Sequence, residues 1–101
     1  MMRTSGIVCI LFDVHLGNGR PGPFFAHEHL GFRPHVLTVA TPMDGGWPMG
    51  AILATQAIGQ TLQPGDHVTT FGGGPFVSSV ALHVFDRLSD PGLLDGMARL
   101  I

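Results

Sequence analysis

Residues 7–13 read IVCILFD, an unbroken apolar run rich in branched side chains that stops at an acid. No polar residue gives this run a solvent face, so the expectation is a strand buried on both sides of its sheet. Strands of that kind occur where helices cover a parallel sheet on both faces. HVLTVA, His35 to Ala40, has the same character, and a third run, MGAILAT, follows the Gly45-Gly46 turn. Between the first two runs, FFAHEHLG has room for about two helical turns before Gly31 and Pro34 stop it. QAIGQTL suits a short helix ahead of Pro64-Gly65. From Pro75 onward, Val77, Val80, Ala81, Val84, Phe85 and Leu88 recur at helical spacing, which predicts an amphipathic helix with Pro75 in its first turn. PGLLDGMARL closes the chain as a further short helix. Strands alternating with helices predict an α/β layer with a largely parallel sheet, and no repeat or linker divides the chain.

Composition narrows what such a layer can do. With 15 Gly and 8 Pro in 101 residues, the core is small, and the chain needs good packing or a partner surface. A net charge of −2, with Arg3, Arg20, Arg33, Arg87 and Arg99 as the only basic residues beside histidine, argues against binding a phosphate backbone. There is no lysine. Cys9, the single cysteine, has no internal disulfide partner and reads as a small core residue in a reducing compartment. MMRTSGIVCILFD faintly resembles a secretion signal, but Asp13 ends the run and no small-residue cleavage pattern follows. No apolar segment is long enough to span a bilayer, and the expectation is a soluble cytoplasmic protein.

Several stretches could carry chemistry. GNGRPG, Gly17 to Gly22, matches the dinucleotide fingerprint letter for letter. Its prolines, the short helix after it and the lack of an acid about twenty residues on favour a chance match in a turn. HEH, His27 to His29, lacks the i, i+4 spacing of a helical zinc site, so solvated histidines are preferred to a metal. HVTTFGGGP, His67 to Pro75, places the hydroxyls of Thr69 and Thr70 and three glycines directly before the amphipathic helix. Free N–H groups and the helix dipole make that a phosphate site, or the stretch is a flexible loop with a Thr cap; both readings stay open. Asp13 ends a buried strand, where ligands bind in α/β sheets, or else caps a turn with the glycines that follow. Asp13, Thr41 and Thr70 would then be three strand-end positions at one sheet edge.

ILFDVHLGNGRPGPFFAHEHLGFRPHVLTVATPMDGGWPMGAILA, followed by GDHVTTFGGGPFVSSVALHVFDRL, resembles the class-III pyridoxal-phosphate aminotransferases, the acetylornithine and ornithine group above all. The likeness runs from about Ile7 to Leu100 and covers a minority of the family's usual chain. It implies that residues 1–101 form one partial domain, the second part of the large cofactor-binding domain of the fold-type-I transferases, a mostly parallel sheet with flanking helices. Asp13 matches the acid that pairs with the cofactor's pyridinium nitrogen, with Val14 and His15 beside it; His15 stands where the family has a Gln near the phenolic oxygen. Thr69 and Thr70 match the hydroxyl pair that reaches the cofactor phosphate of the other subunit, which implies a homodimer or a full-length aminotransferase partner. Thr41 matches the Schiff-base lysine.

A threonine hydroxyl can neither form that linkage nor move the proton at the substrate's Cα. Other departures are the missing acid after Asp13, Asp44 for a glycine of the turn, and Gly74 for an Asn. The resemblance therefore implies a transaminase-type chain, for an amino acid such as acetylornithine or ornithine and a 2-oxo acid, that is truncated and inactive alone. The alternative is a non-catalytic subunit that lends its phosphate loop to a partner aminotransferase.

Overall fold

In the computed structural model the described residues are 6–40 and 43–100. Three strands, β1 (Ile10–Phe12), β2 (Val36–Val39) and β3 (Ala51–Ala54), form a sheet in that order. A 3-10 turn at Ala26–Leu30 lies between β1 and β2, and helices α1 (Gln56–Gly59), α2 (Pro75–Leu88) and α3 (Pro91–Ala98) follow.

β1 and β2 are parallel, with Ile10 opposite Val36 and Phe12 opposite Thr38. The link between them carries the turn and the 3-10 segment, long enough for the crossover that parallel strands require. β3 runs antiparallel to β2, with Leu37 opposite Leu53 and Val39 opposite Ala51. Between β2 and β3 the described residues, 40 and 43–50, hold glycine turns and no helix, and the chain folds back. The α/β layer is as expected, with one parallel and one antiparallel ladder among the described residues. His35 starts β2 with a side-chain bond, its Nδ1 accepting the backbone N–H of Cys9 at 2.9 Å. Cys9 is only partly buried.

Side chains alternate between the sheet's faces. One face, Leu11, Leu37, Val39 and Ala51, meets Met43 and Ala81 of α2, and Phe25 and Met49 close the cluster. On the helix, most of the predicted stripe is turned inward: Val77, Val80, Val84 and Leu88 are half-buried and Ala81 is buried, while Phe85, expected in the same stripe, is 40% exposed and packs on Phe24, and His83 faces solvent. Pro75 occupies the first turn of α2, and Asp90 caps α3 by accepting the Leu93 N–H at 3.0 Å.

The other face is bare. Ile10, Phe12 and Ile52 are 65%, 72% and 72% exposed, which corrects the expectation that the first run is buried on both sides. An apolar run reports that both faces avoid water, and the layer that would cover the second face is not among these residues. The expected helix at FFAHEHLG is a single 3-10 stretch ended by Gly31 at φ 64°, with no side-chain cap at its start. The radius of gyration is 15.1 Å within a slab of 41 × 40 × 18 Å, against about 13 Å for a compact domain of this length. Among the described residues, no helix is long and apolar enough to cross a membrane.

Candidate functional site

Because β1 and β2 are parallel, the residues after them share one sheet edge, and Asp13 follows β1 there. Its backbone N–H donates to the Thr38 carbonyl at 2.8 Å, which extends the ladder by one residue. The side chain is 2% exposed, and Oδ2 accepts the Ala26 N–H at 3.0 Å. Gly17 closes over it: a Cβ there would lie 2.8 Å from Oδ2. Asp13 therefore does not cap the glycine turn by a hydrogen bond: one carboxylate oxygen holds Ala26, where the 3-10 segment begins, and the other keeps its acceptor capacity.

The rest of GNGRPG is a packed turn, with positive φ at Asn18, Gly19 and Gly22. A Cβ on Gly19 would meet Leu94 at 2.8 Å, and one on Gly22 would meet Ala98 at 3.3 Å, so the turn docks on α3. No helix starts at Gly22, which removes the helix N-terminus that a dinucleotide pyrophosphate needs. Val14 is half-buried and His15 exposed, and the His15 carbonyl accepts from the Arg20 guanidinium at 3.0 Å.

Thr41 lies outside the described residues. On either side of it, the Met43 N–H donates to the Ala40 carbonyl at 3.0 Å. The turn that follows is closed by Asp44, 8% exposed, whose Oδ1 accepts the Gly46 N–H at 3.0 Å. Gly45, at φ 59°, sits against α2: a Cβ there would lie 3.0 Å from Val84 and 3.1 Å from Val80. Trp47 meets Phe76 edge to face at 4.9 Å. The glycine and the indole therefore fix this turn on α2 between Phe76 and Val84.

Thr69 and Thr70 lie on an exposed loop rather than at a strand end, a correction to the expected three strand-end positions. Thr69 Oγ1 accepts the Gly72 N–H at 3.1 Å, so it caps its own turn, and α2 starts at Gly74 without a side-chain cap. The hydroxyl of Thr70 has no hydrogen-bond partner among the described residues. The bonds of Asp13 run to Thr38 and Ala26, while the Thr69 bond stays inside its own loop; no hydrogen bond joins the two.

His29 bonds the Pro21 carbonyl at 2.9 Å, and the His27 ring stacks on Phe25 with centroids 5.7 Å apart. Among the described residues, no group of three or more His, Cys, Asp or Glu side chains is placed to hold a metal. A cleft of about 470 Å3, lined by His27, Glu28, Arg33, His35, Leu53 and Thr55 among others, lies by the N-terminal end of β2, the opposite edge from Asp13. Sequence reasoning did not single it out, since its polar groups come from three separate segments.

This layer, with an acid ending the first of two parallel strands and a hydroxyl loop before the main helix, defines a class. The profile of the aminotransferase class-III family matches residues 1–101, and the chain belongs to that family. Within it, the chain is 42% identical over 97 residues to the acetylornithine aminotransferase of Streptomyces coelicolor, covering 95% of this chain and 24% of that protein. It is 40% identical over 95 residues to the mitochondrial acetylornithine aminotransferase of Alnus glutinosa, covering 94% of this chain and 21% of that one. The crystal structure of the ornithine aminotransferase of Toxoplasma gondii superposes with a TM-score of 0.85 at 29% identity, over 92% of this chain and 22% of that one. The chain thus spans about a fifth to a quarter of the length of the curated relatives it matches.

The class-III family is pyridoxal-phosphate dependent. Here the fit to that cofactor is divided: Asp13 has a free acceptor oxygen for a ring nitrogen, but no lysine in the chain can take the aldehyde.

Proposed function

We propose that this chain carries the acid and the turn of an acetylornithine/ornithine-type class-III pocket, binds pyridoxal phosphate without a covalent anchor, and transfers no amino group. The observation that carries this reading is a buried, pre-oriented Asp13 in a chain without lysine. In this reading Thr41 stands at the Schiff-base position. The reaction of that type moves an amino group from an amino acid such as acetylornithine or ornithine to a 2-oxo acid, and the bound cofactor supplies the electron sink.

The chain's own groups keep part of that task. Oδ1 of Asp13 would accept a hydrogen bond from the ring nitrogen of a bound cofactor and so favour its protonated form, while Oδ2 stays on Ala26. Thr69 accepts from Gly72, so its O–H proton would be free, beside that of Thr70, to donate to the phosphate of a cofactor held by another subunit. Val14 and His15, next to Asp13 in sequence, would lie beside a bound ring. A threonine at position 41 contributes no amine, and its hydroxyl is too weak a base to move the Cα proton near neutral pH. Residence in the cytoplasm, suggested by the lone unpaired Cys9, belongs to the same proposal.

The test is a pyridoxal-phosphate titration of the chain beside Thr41→Lys, followed by borohydride reduction and peptide mapping. A covalent label mapping to position 41 in the variant, with none on the unaltered chain's interior, is the expected result. Turnover by the unaltered chain above a control with free cofactor would refute the reading.

A second reading is favoured by one observation. The Thr69–Gly74 loop faces outward and the Thr70 hydroxyl is unengaged, as suits a loop that serves a ligand held by another subunit. The chain is then a non-catalytic subunit of a homodimer or of a full-length aminotransferase. Loss of cofactor from such a complex on Thr70→Val is its signature.

A further inference from the structure

The sheet edge away from Asp13 carries a cleft of its own. β2 and β3 are antiparallel, so the start of one lies beside the end of the other: Val36 pairs with Ala54, and the Thr55 N–H donates to the His35 carbonyl at 2.9 Å. The 3-10 segment Ala26–Leu30 lines the same edge through His27 and Glu28. Gly31, in the left-handed region at φ 64°, then turns the chain back through Arg33 and Pro34 into β2. These three segments border a cleft of about 470 Å3, within the roughly 300–1,000 Å3 of pockets that hold small molecules.

Its lining combines an apolar floor with two opposite charges. Leu37 and Leu53 are partners across β2 and β3, Leu53 is 43% exposed, and Phe25 stands with them in the wall. Arg33 and Glu28 both line the cleft and are exposed, yet neither forms an ion pair or a side-chain hydrogen bond with any described residue. The Thr55 hydroxyl likewise has no partner among the described residues. A guanidinium and a carboxylate that share a cleft without meeting can each take one group of the same ligand. A guanidinium suits a carboxylate, which it binds through two parallel N–H donors. A ligand with a carboxylate alone would bring like charge to Glu28, and one with an ammonium alone would bring like charge to Arg33. Only a molecule with both groups avoids the repulsion that disfavours the other two.

We propose that this cleft is a second binding site, for a small zwitterion of the α-amino-acid kind with an apolar side chain. Its carboxylate pairs with Arg33 and accepts from the Thr55 hydroxyl, its ammonium group pairs with Glu28, and its side chain rests on Leu37, Leu53 and Phe25. The site is at the opposite sheet edge from Asp13, so a ligand here is bound and not transformed, whether or not a cofactor is held at Asp13.

The experiment titrates the isotope-labelled chain with L-leucine and follows its amide resonances. Saturable shifts at Glu28, Arg33 and Thr55 are expected, with a Kd of about 1 mM or tighter, while Asp13 and Gly17 stay in place. 4-Methylpentanoate, which lacks the ammonium group, and 3-methylbutylamine, which lacks the carboxylate, are expected to bind at least about tenfold more weakly. Arg33→Gln and Glu28→Gln alter exposed side chains without partners, so the amide spectrum keeps its dispersion. Arg33→Gln brings leucine down to the affinity of 3-methylbutylamine, and Glu28→Gln brings it down to that of 4-methylpentanoate. The inference is overturned if no saturable shift develops up to about 20 mM leucine. It is equally overturned if the acid or the amine binds as well as leucine, if the shifts centre on Asp13 and Gly17, or if Arg33→Gln binds leucine unchanged.

Discussion

Two glycine-rich turns in this molecule have similar composition and opposite surroundings. In GNGRPG, Gly17, Asn18, Gly19 and Gly22 are buried, and added Cβ atoms would strike Asp13, Leu94 and Ala98. In FGGGP, Phe71 is 90% exposed, and a Cβ on Gly73 would meet nothing within 4 Å. The first turn uses glycine for close approach, so that the chain can wrap a carboxylate and seat on a helix. The second uses it for backbone freedom at a positive φ of 70°, with open space in front. Identical residues therefore report packing in one place and accessibility in the other, and only the neighbours tell them apart.

The contrast can be broken by substitution. Gly17→Ala should be the most damaging, about 1–3 kcal/mol of stability by urea unfolding, because the new methyl group meets both the Asp13 carboxylate and its backbone oxygen at 3.1 Å. Next comes Gly73→Ala, where the left-handed backbone alone costs about 1 kcal/mol and no contact is lost. If its loss equals that of Gly17→Ala, the second turn is packed after all. The smallest effect belongs to Thr70→Val, within about 0.5 kcal/mol for an exposed side chain without a partner, while retention of a phosphate-bearing ligand by an assembled complex falls.

Much of the fold was legible because its signals are local. The stripe Val77, Val80, Ala81, Val84 identified both α2 and its inward face, and Pro75 and Pro91 marked where α2 and α3 begin. What stayed hidden depends on partners distant in sequence. IVCILFD gave no sign that only its Leu11 side is packed here, since a continuous apolar run is the same whether its second cover is present or supplied from elsewhere. The reversal of β3 follows from a connection too short for a crossover, a signal that sits in 40–50 and was available. Asp13 was found as a candidate because strand ends gather ligands, yet its bond to Ala26 and its closure by Gly17 are tertiary. Thr69 and Thr70 were placed on the right loop but at the wrong kind of position, because no strand precedes them.

The contact of Gly45 and Trp47 with α2 has a consequence for how the molecule opens. The turn after position 41 rests on Val80, Val84 and Phe76, and the hydroxyl loop runs directly into the first residue of the same helix. Loosening α2 releases both, so they behave as one cooperative opening unit, and amide exchange at Gly46 and Ala81 reports a single opening free energy. The chain thus keeps a rigid coupling between two stretches that sequence separates, and the turn at Gly45 and Trp47 inherits a mechanical connection to the loop at Thr70.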